Sequence, residues 1–117
     1  AFMARRSHGS IPNRFQTLVY AAVADIPWGR VASYHALARH LGCRSPQAIG
    51  QALGRNPFAP QVPCHRIIRK DLSLGGYAGS TLNAAAAKKR NLLEEEGVLF
   101  DAKNRLIDQA LIWSWND

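Results

Sequence analysis

Hydrophobic side chains recur at helical spacing in the first half of the chain, in three stripes. The first follows Asn13, a residue suited to capping a helix, and contains Phe15, Leu18, Val19, Ala22, Val23 and Ile26. The second follows a capping Ser33, ends at Gly42 and contains Tyr34, Leu37, Ala38 and Leu41. The third begins at Ser45-Pro46 and contains Ala48, Ile49, Ala52 and Leu53. The pattern therefore predicts three helices, with Pro27-Trp28-Gly29 turning the chain and residues 31–32 forming a short extended link.

The face of the third helix opposite its apolar stripe is unusual. It carries small and amide residues: Gln47, Gly50, Gln51 and Gly54. Glycine inside a helix is less stable than alanine by ~1 kcal/mol, so two glycines on one face indicate close approach of another surface. With the preceding helix this face is typical of a helix-turn-helix, and Arg44 and Arg55 at its ends suit DNA contacts. The alternative is that Gly50 and Gly54 only permit tight packing within the protein.

The second half of the chain mixes short extended runs with one strong helix. Residues 67–79 contain two short extended runs about a polar turn at residues 70–73, which predicts a hairpin or wing closed by a glycine-rich loop. Residues 83–96 predict a helix that stops at Gly97, and residues 98–108 predict a small hairpin about Lys103-Asn104. Residues 111–115 form an aromatic patch that is expected to anchor this end of the chain, and the alternative is that a tryptophan stacks on bases.

These elements predict a mainly α, α+β fold: a winged helix-turn-helix with a small β wing. Residues 13–117 form one domain of a size that can bury a core of its own. Residues 1–12 have no periodicity, and we expect them to be a flexible tail or a remnant of cloning.

Charge and composition narrow the class of function. Fifteen Lys and Arg against eight Asp and Glu give a net charge of +7, which favours a polyanionic partner, usually nucleic acid; the alternative is a basic protein without one. No apolar run is long enough for a membrane span. Two cysteines make a poor disulfide framework, so an intracellular compartment is expected. The four histidines lack the spacing of a metal site, and the glycine-rich loop lacks the lysine of a phosphate-binding loop, so no metal or nucleotide cofactor is expected.

The strongest chemical feature is a cysteine in a segment rich in proline. Pro57, Pro60 and Pro63 prevent an α-helix, so a rigid irregular segment presents Cys64 next to His65 and Arg66. Neighbouring cations stabilise a thiolate, which is the nucleophilic form. The pattern favours a reactive cysteine, and the alternative is a buried, inert one.

A second candidate comes from the register of the last helix. At ~100° per residue, Glu96 falls on the buried stripe and Glu94 points outward. A buried carboxylate needs a partner, and His65 suits because a carboxylate orients an imidazole. The alternative is an ion pair between Glu96 and Lys89 or Arg90 at the helix end.

These motifs together resemble a known family. Pro63-Cys64-His65-Arg66 with Asn56-Pro57 upstream, Tyr77 with Gly79, and Glu96-Gly97 resemble the catalytic, DNA-binding domain of O6-alkylguanine-DNA alkyltransferases. The resemblance implies a protein that binds duplex DNA containing O6-alkylguanine and flips the damaged base into a pocket. Cys64 would then take the alkyl group irreversibly, once per molecule and without a cofactor.

The resemblance also implies roles for individual residues. His65 would accept the thiol proton through a water, Glu96 would support His65, and Asn56 would brace the turn before Cys64. The implied base pocket comprises Tyr34, Val62, Ile67, Tyr77, Ala78 and Gly79. The implied DNA-binding residues are Arg44, Gln47, Gly50, Gln51, Gly54, Arg55 and Arg66.

The chain departs from the family's pattern in three respects. The pocket loop before Glu96 is longer here, through residues 80–84, so the alkyl pocket is expected to differ in size. Gln47 stands where the family usually carries an intercalating arginine, and Arg44 lies close enough in sequence to replace it. The size and the Trp-rich end resemble alkyltransferase-like proteins, which lack the cysteine and flag lesions for nucleotide excision repair without transfer. Cys64 favours transfer over this alternative, and we expect a monomer with excision-repair proteins as further partners. A cysteine hydrolase is disfavoured, because adjacent Cys64 and His65 side chains tend to diverge.

Overall fold

The computed structural model describes residues 12–77 and 79–115, and they form an α+β fold, as predicted. The elements are α1 (Arg14–Ala24), β1 (Ala32–Ser33), α2 (Tyr34–Leu41), α3 (Pro46–Gly54), β2 (Ile67–Ile68) and α4 (Asn83–Glu95). Two 3-10 turns, Cys64–Arg66 and Gln109–Leu111, complete the described structure. The predictions for residues 1–11 and for Ala78 lie outside the described residues.

The first three helices begin at the caps that the sequence predicts. The Asn13 side chain accepts a hydrogen bond from the backbone N–H of Gln16 at 2.8 Å, and the Gln16 side chain accepts one from the Asn13 N–H at 2.9 Å. Ser33 and Ser45 cap α2 and α3 through their hydroxyl oxygens. Gly42 ends α2 with φ 66°, a left-handed conformation that glycine adopts without a Cβ penalty.

The helices α1, α2 and α3 pack around one apolar cluster. Its fully buried members include Val19, Val23, Leu37, Ile49 and Ile67. One member of the predicted stripes is wrong, because Leu18 is 52% exposed. The buried face of α1 includes Tyr20 instead, whose hydroxyl donates to the carbonyl oxygen of Ala52 at 2.7 Å. Leu18 lies ~100° around the helix from the buried Val19 and so points to solvent.

The predicted hairpin within residues 67–79 is wrong. Ile67 and Ile68 pair instead with Ala32 and Ser33 in a parallel two-stranded sheet. Residues 69–73 form a tight turn, in which the Arg69 N–H donates to the Ser73 carbonyl at 2.9 Å, and Ser73 forms an antiparallel bridge with Arg105. The reason is burial: Ile67 and Ile68 are both at most 1% exposed, so this strand lies between two apolar clusters, as parallel strands do, rather than at a surface.

The remainder of the described chain covers the second cluster, which contains Val31, Ile68, Leu74, Leu93, Val98, Phe100 and Leu106. The predicted second hairpin is confirmed by the antiparallel bridge between Phe100 and Leu106. The predicted aromatic anchor is also confirmed: Trp115 is buried, and its indole N–H donates to the Ala22 carbonyl at 3.0 Å. Trp115 therefore fixes this end of the chain to α1.

The described residues contain no helix of the length and apolar character that a membrane crossing requires. Within the same residues, no group of three or more His, Cys, Asp or Glu side chains is arranged to hold a metal ion.

Candidate active site

A cavity of about 590 Å³ opens between α2, α3 and the loop that follows β2. Its walls are formed by Tyr34, His35, Ala38, Pro46, Gly50, Leu53, Gly54, Cys64, Arg69, Lys70, Gly76, Tyr77, Gly79, Ser80 and Thr81. Cys64 is 7% exposed, so its thiol is part of the cavity wall and is otherwise enclosed by protein. The cavity has the size of a small-molecule pocket.

The segment that carries Cys64 is held by the Asn56 side chain. The Asn56 amide donates to the Val62 carbonyl at 2.9 Å, and its oxygen accepts a hydrogen bond from the Phe58 N–H at 2.9 Å. The Cys64 N–H donates to the same Val62 carbonyl at 2.8 Å, and Cys64 then begins a 3-10 turn. Asn56 therefore spans the irregular segment from α3 to the thiol, which is the contact expected of it.

His65, Arg66 and Glu96 form a buried polar cluster behind the cysteine. His65 Nε2 lies 2.8 Å from Glu96 Oε2, as the helical register predicts. Arg66 donates to Glu96 Oε1 at 2.9 Å and to Oε2 at 3.0 Å, and the Gly29 N–H donates to Oε1 at 2.9 Å. The alternative partners predicted for Glu96 are wrong, since Arg90 pairs with Glu94 and Lys89 binds backbone carbonyls.

Arg66, which the resemblance assigns to DNA, has its partners inside the protein. All three nitrogens of its guanidinium donate within the protein, two to Glu96 and the third to the Ile26 carbonyl at 2.7 Å. The guanidinium also lies 5.7 Å from the Trp28 ring centroid. Because a buried carboxylate needs more compensation than one imidazole supplies, Arg66 folds inward to complete the cluster.

His65 is held as a neutral base. Burial lowers the pKa of His65, and the Glu96 hydrogen bond and charge oppose this shift without reversing it. Since the Glu96 carboxylate only accepts hydrogen bonds, the proton of the neutral imidazole is assigned to Nε2. Nδ1 then keeps its lone pair, and it is buried without a hydrogen-bond partner in the described part of the chain.

Glu96 stays ionised in the cluster. Burial alone would raise the pKa of Glu96, but hydrogen bonds from Arg66, His65 and Gly29 together lower it below 4.5. The carboxylate therefore fixes the tautomer of His65 across the neutral pH range.

The charged groups that act on the Cys64 thiol are not the ones that the sequence indicated. Burial raises the pKa of the Cys64 thiol, while a hydrogen bond with Asn56 and the charge of Lys89 lower it in part. His65 is neutral and Arg66 is paired with Glu96, so the two residues next to Cys64 in sequence do not act as its cations. Lys89 was missed as a site residue, although the register that places Glu96 on the buried stripe of α4 places Lys89 there as well.

Three of the six predicted pocket residues, Tyr34, Tyr77 and Gly79, line the cavity. Ile67 does not line the cavity, because it is fully buried in the apolar cluster. Val62 does not line it either, and its backbone carbonyl accepts the hydrogen bond from the Asn56 amide. Burial raises the pKa of the Tyr34 hydroxyl, which therefore remains a hydrogen-bond donor at neutral pH.

A shallow groove beside the cavity collects most of the predicted DNA-binding residues. Gln47, Gly50, Gln51, Gly54 and Arg55 line it together with Gly79. Arg44 is exposed just before α3 but does not line the groove. Sequence reasoning missed the cationic cavity residues Arg69 and Lys70, which lie on a turn that was interpreted only as a wing.

The two glycines of α3 have different surroundings. A Cβ added at Gly50 would meet nothing within 4 Å, so this position is open to an approaching molecule. A Cβ added at Gly54 would lie 2.9 Å from the Gly79 Cα, closer than real Cβ contacts allow. The packing alternative therefore describes Gly54, which brings the cavity loop against α3.

Comparison with known proteins adds a family to this geometry. Residues 14–98 match the profile described as "6-O-methylguanine DNA methyltransferase, DNA binding domain". The methylated-DNA–protein-cysteine methyltransferase of Saccharolobus islandicus is 43% identical over 84 residues, which are 72% of this chain and 51% of that protein. The chain thus spans about half the length of the curated relatives it matches.

Two solved structures show the same fold with DNA bound. Mycobacterium tuberculosis OGT in complex with DNA is 39% identical with a TM-score of 0.66, and the match covers 74% of this chain and 51% of that one. Schizosaccharomyces pombe Atl1, in complex with damaged DNA containing O6-carboxymethylguanine, is 29% identical with a TM-score of 0.68. That match covers 86% of this chain and 95% of Atl1.

Proposed function

Because the chain belongs to the family of 6-O-methylguanine DNA methyltransferases, by way of their DNA-binding domain, we propose that it repairs DNA by direct alkyl transfer. An alkyl group on O6 of guanine moves to Cys64, and each molecule reacts once. The observation that carries this proposal is the Cys64 thiol in the cavity wall, followed by a neutral His65 whose Nδ1 is free and whose tautomer Glu96 fixes.

The chemistry follows from these groups. His65 Nδ1 takes the thiol proton through a bridging water, and the thiolate attacks the alkyl carbon. The S–C bond forms as the bond from that carbon to O6 breaks, and the electron pair leaves with the guanine. The Tyr34 hydroxyl, protonated in the cavity wall, is a donor for the guanine as negative charge develops on it.

The substrate is duplex DNA containing O6-alkylguanine. Base extrusion from a duplex requires a few kcal/mol, which contacts inside the cavity offset. The groove on α3 adjoins the cavity through Gly50, Gly54 and Gly79, which line both, so DNA on the groove has a flipped base next to Cys64. The net charge of +7 supports phosphate binding. A monomer is sufficient, because the described residues supply every group of this mechanism.

A second function, lesion binding without transfer and recruitment of excision-repair proteins, is favoured by one observation: the match to the structure of Atl1 covers 95% of that chain. The buried thiol at the cavity wall argues against it, because lesion binding alone needs no nucleophile. Both functions share the groove and the cavity and differ only in the fate of the alkyl group.

Intact-protein mass spectrometry separates the two. The protein is incubated with duplex DNA containing O6-methylguanine, beside undamaged duplex and a Cys64→Ala variant. We expect the wild type alone to gain the mass of one methylene, and peptide mapping to place it on Cys64 rather than Cys43. Tight lesion-selective binding with no mass change would overturn the transferase proposal and leave lesion recognition.

A further inference from the structure

Lys89 is the buried charge that the mechanism above does not use. It lies within α4 and is 1% exposed. Its ammonium donates to the Ile67 carbonyl at 2.5 Å and to the Gly76 carbonyl at 3.0 Å, and it lies 5.9 Å from the Tyr34 ring centroid. Tyr34 and Gly76 line the cavity with Cys64, so Lys89 lies directly behind the cavity wall.

No carboxylate balances this charge among the described residues. The titratable groups around the Lys89 ammonium come from every neighbouring element: Cys64 and His65 from the 3-10 turn, Tyr34 from α2 and Arg69 after β2. Arg69 repels it, and Cys64 is the group whose charge favours its protonated form. His65 is neutral, and Tyr34 remains protonated.

An isolated ammonium in an apolar interior is unfavourable unless an anion or several acceptors compensate it. Two carbonyl oxygens occupy two of its three N–H groups, which leaves one for an anion. Burial lowers the pKa of Lys89 to about 7, so the amine is poised between its two forms near neutral pH. In the proposed reaction the anion that the protein itself carries is the Cys64 thiolate, and Cys64 lines the same cavity as Tyr34 and Gly76, which Lys89 contacts.

We propose that Lys89 is a positioning residue whose ammonium group stabilises the Cys64 thiolate and thereby sets the rate of alkyl transfer. Lys89 supplies the cationic neighbour that the sequence assigned to His65 and Arg66. This inference rests on the proposed alkyl transfer for its function, but the coupling between Lys89 and Cys64 is measurable without DNA. A purely structural Lys89, which ties the Gly76 loop to β2, predicts no such coupling.

The test is the pH profile of thiol reactivity. Iodoacetamide alkylation of Cys64 is followed from pH 5 to 10 in a Cys43→Ser background, with Lys89→Met and with Lys88→Met as control. Lys88 is the exposed neighbour on the same helix, so the control removes an equal charge. We expect Lys89→Met to shift the profile to higher pH and to slow alkylation at pH 7 by about tenfold, corresponding to one pKa unit. Lys88→Met is expected to match the parent.

A folded Lys89→Met protein with an unchanged profile would overturn the proposal. If that variant does not fold, the reciprocal measurement decides, because coupling between two sites acts equally in both directions. The Lys89 side chain is titrated by NMR in the wild type and in Cys64→Ala. We expect its midpoint to fall when the thiol is removed, and equal midpoints would overturn the inference.

The two proposals fail separately. If the wild type takes up no methyl group from O6-methylguanine DNA but Lys89→Met still shifts the thiol profile, the transferase function is wrong and the coupling stands. If methyl transfer occurs and Lys89→Met neither shifts the profile nor slows transfer, Lys89 is structural.

Discussion

At the scale of single residues, the buried cluster gives Glu96 two tasks. Its carboxylate fixes the tautomer of His65 and compensates the charge of Arg66. If Glu96 made only one of these contacts, either His65 or Arg66 would be buried without a full set of partners, which is unfavourable in an interior. Stability and the proposed alkyl transfer therefore depend on the same carboxylate.

A Glu96→Gln substitution is expected to destabilise the fold. Removing one partner of a buried ion pair leaves the Arg66 charge uncompensated. We therefore expect the free energy of unfolding, measured by urea denaturation, to fall by about 3–5 kcal/mol. The matched control is Glu94→Gln, which breaks the exposed pair with Arg90 and should change stability by at most about 0.5 kcal/mol. Equal losses in the two variants would contradict the role of the buried cluster.

The dependence of stability on pH in the acid range tests the same cluster without removing a side chain. Hydrogen bonds lower the pKa of folded Glu96 below its unfolded value of 4.5. Its contribution is therefore complete above pH 4.5 and is lost as the pH falls through the folded pKa. We expect wild-type stability to decline over that range and Glu96→Gln to decline less steeply, as measured by urea midpoints at successive pH values.

Asn56 tests how the thiol is positioned. Asn56→Ala removes two hydrogen bonds from the irregular segment, one to the Val62 carbonyl and one from the Phe58 N–H, so we expect the free energy of unfolding to fall by about 1–3 kcal/mol. Because the Asn56 hydrogen bond lowers the pKa of Cys64, the variant should also react with iodoacetamide only at higher pH. The exposed Asn91→Ala on α4 serves as control and should change neither property.

At the scale of elements, α3 combines a surface that contacts DNA in the proposed function with a surface that supports the cavity loop. Its two glycines separate these surfaces: Gly50 faces open space, and Gly54 touches the backbone of Gly79. The helix therefore positions the loop that closes the cavity, and a change on one turn of α3 has a different consequence from the same change one turn away.

Paired alanine substitutions distinguish the two turns. Gly54→Ala forces backbone of the Gly79 loop to move, so we expect a loss of about 1–3 kcal/mol in unfolding free energy and slower alkyl transfer. Gly50→Ala meets no protein atom and should stabilise α3 by up to ~1 kcal/mol. Weaker duplex binding by Gly50→Ala, measured by fluorescence anisotropy, would identify the DNA-facing turn. Equal stability of the two variants would contradict the packing described for Gly54.

The elements also show what the sequence predicts and what it does not. Helices α1, α2 and α3 were predictable because Asn13, Ser33 and Ser45 cap them locally. The pairing of Ile67 with Ala32 was not predictable, because a parallel pair depends on contacts distant in sequence, and residues 67–79 fit a hairpin equally well.

At the scale of the whole molecule, those parts of the site that depend on the register of one helix were predictable from the sequence. The parts that depend on contacts between residues distant in sequence were not. The register of α4 placed Glu96 on the buried side, and the chemistry of a carboxylate with an imidazole then favoured His65 as its partner, which the structure has. Arg66 was expected to act as a cation beside Cys64 because the two are adjacent in sequence, yet the fold turns it toward Glu96. Lys89, 25 positions from Cys64 in the chain, supplies the cation instead. Adjacency along an irregular segment is thus a poor guide to which charge a thiol meets.

The distribution of positive charge leads to a prediction about DNA binding by the whole protein. Arg55 lines the groove, and Arg69 and Lys70 line the cavity, whereas Arg30 lies at neither. Each phosphate contact contributes about −0.9 to the slope of log Kobs against log salt concentration, so Arg55→Gln should make the slope shallower by about one unit. Arg30→Gln, with the same loss of charge, should leave the slope unchanged if binding is directed by the groove rather than by net charge. Anisotropy titrations of an undamaged duplex at several salt concentrations measure both, and equal slopes for the two variants would mean that DNA does not lie along α3.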